Sequence, residues 1–329
     1  MRKIMTASRR ELEQHGHKYP DAALITFRDP FLAPAPAPQM PRLDLVMNDI
    51  SDPSPGLTHP QRDHAARIYP WVAALPPDRP LIVQCEFGVG RSLACAAALN
   101  RAQGDEATAK RQLRHGTHNR RLYRLLCEEF GLTVEPEPLV AIACRVKYPV
   151  GRADAFLYSL NRQRYDTWKC VFVTDGINDA AWEEFSFETV GERKWEWIET
   201  PERRGLWGHP YRQLGIDRCL AIGAAYIGLN NDDNYLTPGY LEQMVNAAQD
   251  EGADLVMCQM LHSYSAWGVV GSVPVAGCAD VGNWIASADL IRQVKFDEFD
   301  ALADGRFVER LAAKAKKVAS VERPLLIKN

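Results

Sequence analysis

The sequence has no C-x-x-C pair among its eight cysteines, which stand singly at positions 85, 95, 127, 144, 170, 219, 258 and 278. Cysteines this scattered exclude a disulfide-stapled scaffold and a zinc ribbon; they read as small buried hydrophobes in a reducing compartment. Long hydrophobic runs are also missing. The most apolar window, Gly268 to Ala279, is too short for a bilayer and is broken by Pro274. The opening MRKIMTASRRELEQHGHKYP is polar throughout, which argues against a secretory leader and predicts a cytoplasmic chain without a membrane span. Charge of one sign is absent too: 39 Lys and Arg against 42 Asp and Glu leave a net −3. Bulk electrostatics therefore makes no case for a nucleic-acid partner, although a nucleic-acid acceptor stays open. No internal repeat is present.

What is there is ordinary globular material, 46% hydrophobic and 25% charged over 329 residues, a length that suggests two domains. The two halves differ. Residues 1–80 hold thirteen of the twenty-one prolines, and seven of the eight tryptophans lie after residue 150. Between two patterned regions, TVEPEPL (133–139) has the stiffness of a linker. The expected division is a first domain at 1–133, a linker at 134–138 and a second domain at 139–329.

In the first half, PLIVQC (80–85) reads as a buried strand and SLACAAALNRAQ (92–103) as a helix, with one further helix expected from Glu106 to Phe130. In the second half, LVAIAC (139–144), KCVFV (169–173), AYIGL (225–229) and DLVMCQM (254–260) read as strands. Helices are expected at 152–164 and 238–249. Strands alternating with helices predict an α/β sheet in each half.

Cys85-Glu86-Phe87-Gly88-Val89-Gly90-Arg91-Ser92 joins a predicted strand to a predicted helix. A helix N-terminus lowers a thiol pKa, Gly88 and Gly90 let successive N–H groups wrap phosphate oxygens, and a guanidinium grips two oxygens in a fork. This segment resembles the C-x5-R loop of the cysteine-dependent protein tyrosine and dual-specificity phosphatases, in its fuller form C-x-x-G-x-x-R-S. The resemblance implies a phosphatase-like α/β sheet flanked by helices. It implies Cys85 as nucleophile, Arg91 with Gly88, Gly90 and Ser92 as phosphate binders, and an upstream Asp as general acid. In DLVMNDISDP (44–53) the preferred acid is Asp49, with Asp52 second. Two departures stand out: Gln84 replaces the usual His before the cysteine, and Phe87 is bulky. The basic stretch 110–124 reads as a solvated helix face.

The second half carries acids in order. Asp175 ends the strand VFVTDG (171–176), Asp232 and Asp233 follow YIGLNN (226–231), and Asp304 stands in ADGRFVE (303–309). Adjacent carboxylates at a strand end repel unless a cation or base compensates them, and open α/β sheets bind ligands at the carboxyl ends of strands. This order resembles the inverting family 2-like glycosyltransferases with the GT-A fold, from about Leu139 to Asn329. The resemblance implies a nucleotide-sugar donor contacted by Asp175, Arg212 and Asp232. It also implies a Mn2+ or Mg2+ ion on Asp233 supported by Asp232, and Asp304 as the base that takes the acceptor hydroxyl proton. The match is imperfect. Asn231 stands at the first acid position, and Lys328 takes the place of a metal-binding His, which points to weak or absent metal dependence. His209 and His262 read as ordinary polar residues, and Trp195, Trp197 and Trp207 as packing with the option of stacking on a sugar or base.

The sequence thus predicts a bifunctional protein, with sugar transfer to an unidentified hydroxyl acceptor and a phosphomonoester, on a small molecule or a protein, as the first domain's ligand. Two alternatives remain open: a phosphate-binding pseudo-phosphatase beside a working transferase, or a working phosphatase beside a nucleotide- or glycan-binding module.

Overall fold

The computed structural model describes residues 2–32, 40–49, 58, 60–88, 90–113, 118–134, 136–146, 153–176 and 194–328, and leaves aside the side chains of 17, 153, 154, 207 and 208. The chain divides into two compact units, Met1–Pro136 and Glu137–Asn329. The division falls inside the stretch expected to be a linker.

The first unit holds a four-stranded parallel sheet of β1 (Ile4–Ser8), β2 (Ala23–Arg28), β3 (Arg42–Val46) and β4 (Leu81–Cys85), in the order β1-β4-β2-β3. Strand β4 is apolar and interior, and Cys85 is its last residue. Helices α1 (Arg9–His15), α2 (Arg62–Ala73), α3 (Arg91–Ala102), α4 (Glu106–Leu113) and α5 (Arg120–Glu129) pack around the sheet. Every residue of α3 from Arg91 to Asn100 is buried. Its alanines let it lie close to the strands, in a core shared with Ile25, Leu45, Val83 and Leu126. The single helix expected from 106 to 130 is two. Asn119 breaks the run, because its side chain accepts the Leu122 N–H at 2.9 Å and starts a new helix.

The second unit is built on β5 (Val140–Val146), α6 (Ala153–Asn161), β6 (Trp168–Thr174), β7 (Trp195–Ile198), α7 (Arg212–Ala221), β8 (Tyr226–Asn231), β9 (Asn234–Leu236) and α8 (Tyr240–Glu251). It continues with β10 (Leu255–His262), β11 (Gly268–Val270), β12 (Trp284–Ser287), α9 (Ala288–Ile291), α10 (Ala303–Lys314) and β13 (Val318–Lys328). The sheet order is β7-β6-β5-β8-β12-β10-β13-β9, with β11 on β10. Alternation within β5 explains its two-sided burial. Val140, Ile142 and Cys144 join Phe156, Phe172, Tyr240 and Met244 on one face. Ala141 and Ala143 join Ile216, Leu229, Trp284 and Phe307 on the other.

Strands β9, β11 and β12 run against the rest, and β12 does so in a way that shapes the site. β12 is antiparallel to both β8 and β10, so its entry end lies at the edge where β5, β8, β10 and β13 finish. The loop before β12 therefore reaches the same edge as those strand ends. The Trp195 and Trp197 rings pack edge to face at 6.1 Å between centroids, and Trp197 stacks on Phe172 at 4.5 Å. They are part of the packing of β7 on its neighbours. Among the described residues, no helix is long and apolar enough to cross a membrane.

Candidate active site

At the carboxyl edge of the second sheet lies a cleft of about 530 Å³, lined by polar groups that converge from five elements. Arg145 comes from the end of β5, Arg212 from the start of α7, Asp232 and Asp233 from the turn after β8, Asp304 from the first turn of α10, and Lys328 from the end of β13. Residues scattered over 184 positions of sequence, from 145 to 328, thus share one cavity. Arg212, Asp232, Asp233, Asp304 and Lys328 were expected from the sequence. Arg145 and Asp280, which also lines the cleft, were not.

Asp304 is 18% exposed at its side chain. Burial raises its pKa from the usual 3.8 to about 6; the charge of Arg212 opposes that rise and the charge of Asp280 adds to it. Its Oδ1 lies 3.5 Å from Arg212 Nε and 3.4 Å from His209 Nδ1. The second contact is not an ion pair. Desolvation and the nearby Arg212 hold the His209 pKa near 3, and His209 Nδ1 accepts from Arg212 Nε at 3.3 Å. At neutral pH that nitrogen presents a lone pair, so it offers Asp304 no compensating charge.

Arg212 is buried, and each of its three nitrogens donates a hydrogen bond. Besides His209 it donates to the Asn230 carbonyl at 3.2 Å and to Asn231 Oδ1 at 2.7 Å. Asn231, the residue standing where an acid was expected, is thus a strut for Arg212. Lys328 pairs with Asp280. Asp233 Oδ1 and Asp280 Oδ1 are enclosed and make no hydrogen bond.

Asp175 stands elsewhere. It follows β6, is 9% exposed, and its Oδ1 accepts the Arg204 N–H at 2.9 Å. It does not line the cleft. His262 does line the cleft, and its Nδ1 accepts the Tyr264 N–H at 3.0 Å. The side chain of residue 207 lies outside the described residues.

A divalent cation can be tested against these groups. Among the described residues no set of three or more His, Cys, Asp or Glu is placed to hold one. The adjacent Asp232 and Asp233, with one buried oxygen unpartnered, fit a cation that completes its shell with phosphate oxygens from a substrate. They do not form a protein-only cage.

In the first unit, Cys85 Sγ lies 3.3 Å from Ser92 Oγ, with Cys85 buried at the strand end and Ser92 in the first turn of α3. Gly88 has φ +74°, which favours glycine, and a Cβ there would meet the Ser8 nitrogen at 2.7 Å. Arg91 is 1% exposed. Its guanidinium donates to Asp29 Oδ1 at 3.1 Å and to the Met47 carbonyl, and its Nε is 3.8 Å from Asp49 Oδ2. Asp49 also accepts from Asn119 Nδ2 at 3.0 Å. A Cβ on Gly90 would come within 1.9 Å of the Asp49 carboxylate, so Asp49 lies directly over the loop. Gln84 is buried, and Phe87 is 78% exposed, so its bulk points outward. Val89 and Asp52 lie outside the described residues.

Comparison with solved structures gives low-identity likenesses. Staphylococcus aureus TarS 1-349 in complex with UDP is 12% identical, with 57% of this chain and 59% of that chain covered at a TM-score of 0.49. A second structure of S. aureus TarS 1-349 is 14% identical at a TM-score of 0.48, and the chain covers 60% of its length. The mannosyltransferase PcManGT from Pyrobaculum calidifontis, in complex with GDP-Man and Mn2+, is 14% identical, with 72% and 68% covered at a TM-score of 0.46. No curated protein matches the chain by sequence. The match that bears on the cleft is to a sequence family: residues 152–293, the greater part of the second unit, match Glycosyl transferase family 2.

Proposed function

We propose that the second unit transfers a sugar from a nucleotide sugar to a hydroxyl acceptor, with inversion, and that Asp304 is the base. The observation that carries this reading is the placement of Asp304. A carboxylate of raised pKa lines one polar cleft with Arg212, Asp232 and Asp233, and those three companions fall within the segment 152–293 that matches a glycosyltransferase family. A carboxyl with pKa near 6 is ionised at neutral pH and is a better proton acceptor than an ordinary aspartate.

In the reaction, Asp304 accepts the acceptor's O–H proton as that oxygen forms its bond to the anomeric carbon. The bond from that carbon to the diphosphate oxygen breaks, and the nucleoside diphosphate leaves with the electron pair. Arg212 holds Asp304 in place and counters its charge. Lys328, drawn from Asp280, adds positive charge within the cleft. Asp233 and Asp232 would hold a Mn2+ or Mg2+ ion, which supplies charge neutralisation for the leaving diphosphate. Asp175 is read as a donor contact only through its position after β6, since its carboxylate is already engaged.

For the first unit we propose binding or hydrolysis of a phosphomonoester at Cys85. Ser92 beside the sulfur and Asp49 over the loop support it. The carboxylates around Arg91 set a condition: an incoming phosphate dianion meets Asp29 and Asp49 as well as the guanidinium. A protonated Asp49 relieves that repulsion and is the form a general acid requires.

The test is release of free nucleoside diphosphate from a panel of nucleotide sugars, with Mn2+ or with EDTA. Turnover of one donor, lost in Asp304→Asn, is the expected result. Silence with every donor, together with aryl phosphate hydrolysis lost in Cys85→Ser, would leave the phosphatase as the working half.

A further inference from the structure

We infer that Arg145 is the residue that grips the diphosphate of the nucleotide donor, through a guanidinium kept unengaged for that purpose. The inference rests on the transferase reading above. It starts from a comparison of the three cations lining the cleft. Arg212 spends its donors on Asn230, Asn231 and His209. Lys328 is paired with Asp280. Arg145 alone has nitrogens, Nε and Nη1, that are enclosed and without a hydrogen-bond partner. The residue is 7% exposed and lines the cleft.

A guanidinium in that state has lost water at two nitrogens without gaining hydrogen bonds there, which is unfavourable unless a ligand completes them. Its placement says what that ligand is. β5 runs between β6 and β8, and Arg145 lies opposite Asn231, one residue before the Asp232–Asp233 turn. The Arg145 carbonyl accepts the Asp232 N–H at 3.2 Å, so the backbone of the cation is tied to the backbone of the acid turn. An anion between them would meet a planar fork on one side and, through a cation on Asp233, a second positive charge on the other. Pyrophosphate oxygens match a guanidinium fork two at a time. A single neutral sugar would offer no anionic oxygens to that fork.

The location is also the one a diphosphate needs. Asp304, the proposed base, lines the same cleft, so a diphosphate held by Arg145 keeps the donor in the cavity that the base faces. Arg145 is in addition the one charge within the run Val140–Val146. A positive charge inside an otherwise apolar, doubly covered strand is costly to keep and is explained by a ligand rather than by folding.

The experiment is calorimetric titration of the full chain with UDP, GDP, uridine, guanosine and pyrophosphate, each in EDTA and in Mn2+. Wild type, Arg145→Gln and Arg145→Lys are compared, with near-UV circular dichroism to show that each is folded. The expected result is that wild type binds one diphosphate more tightly than its nucleoside. Arg145→Gln loses at least tenfold of the diphosphate affinity and none of the nucleoside affinity. Arg145→Lys, which keeps the charge without the fork, falls between and serves alone if the glutamine variant does not fold. Diphosphate binding within twofold of wild type in the variants overturns the assignment while leaving the transferase reading intact. Pyrophosphate binding that depends on Arg145, with no preference for any nucleotide, keeps the anion site and overturns the nucleotide-sugar reading. No binding of any of the five probes by wild type overturns both.

Discussion

Replacing Asp304 by Asn tests the electrostatics of the cleft without any substrate. Burial raises the native pKa of Asp304 to about 6 from 3.8. A raised carboxyl pKa means that the native chain binds the proton more tightly than the unfolded chain does. Stability therefore falls as pH rises from about 4 to about 6 and stays lower above that. At about 1.4 kcal/mol per unit, a shift of roughly 2 units makes ionised Asp304 cost about 3 kcal/mol at pH 7. Asparagine has nearly the same shape and never ionises. Asp304→Asn should thus be more stable than wild type at pH 7.5 by up to about 3 kcal/mol, and that advantage should shrink progressively as pH falls to 4. The pH-dependent part matters most, because any fixed loss from altered contact with Arg212 shifts the whole curve without changing its slope. Denaturant unfolding followed by tryptophan fluorescence is suited to the purpose, since seven of the eight tryptophans lie after residue 150 and report the second unit. A difference between the two proteins that is flat across pH 4–8, or that grows toward acid, would refute the reasoning.

If Asp304 is the base, kcat/KM for sugar transfer should fall on the acid side with a midpoint near 6, and a pH profile checks it. Phe307→Ala should destabilise the second unit by about 3–5 kcal/mol, because the ring is fully buried between Trp284 and Phe296; thermal and chemical unfolding measure it. Gly90→Ala should displace Asp49 from above the Cys85 loop, since the new methyl would lie 1.9 Å from its carboxylate. The expected loss is about 1–3 kcal/mol in the first unit, together with any aryl phosphate hydrolysis that requires Asp49, and melting and a chromogenic assay read the two effects.

The strands LVAIAC, AYIGL and DLVMCQM, which finish at the cleft, were readable because strands covered on both faces are apolar runs. The acids after β8 and at the head of α10 were readable because charge next to such runs is conspicuous. The one charge within the run was passed over: the apolar reading of β5 stopped at Cys144, and Arg145 is the next residue. Asp280 escaped for a topological reason. It precedes its strand, and a search of strand carboxyl ends misses a residue brought to that edge by an antiparallel strand. Strands β9, β11, β12 and the 11-residue β13 were also missed, being short or, like β13, interrupted by charge and Pro324. The helix expected from 106 to 130 failed at Asn119, where a cap is local chemistry that composition does not display. In the first unit the loop motif and Asp49 were named from the sequence, whereas Asp29, which also meets Arg91, comes from a distant segment that no motif marks.

The tilted contact of Trp284 with Phe307, 5.7 Å between ring centroids, has a consequence for how the cleft responds to change. Trp284 opens the strand whose entry loop carries Asp280, and Phe307 lies one turn beyond Asp304 on α10. The two rings share one core cluster and stand on the elements that carry both acids. A substitution at either ring is expected to alter Asp280 and Asp304 together, while substitutions at the cleft surface address one acid at a time.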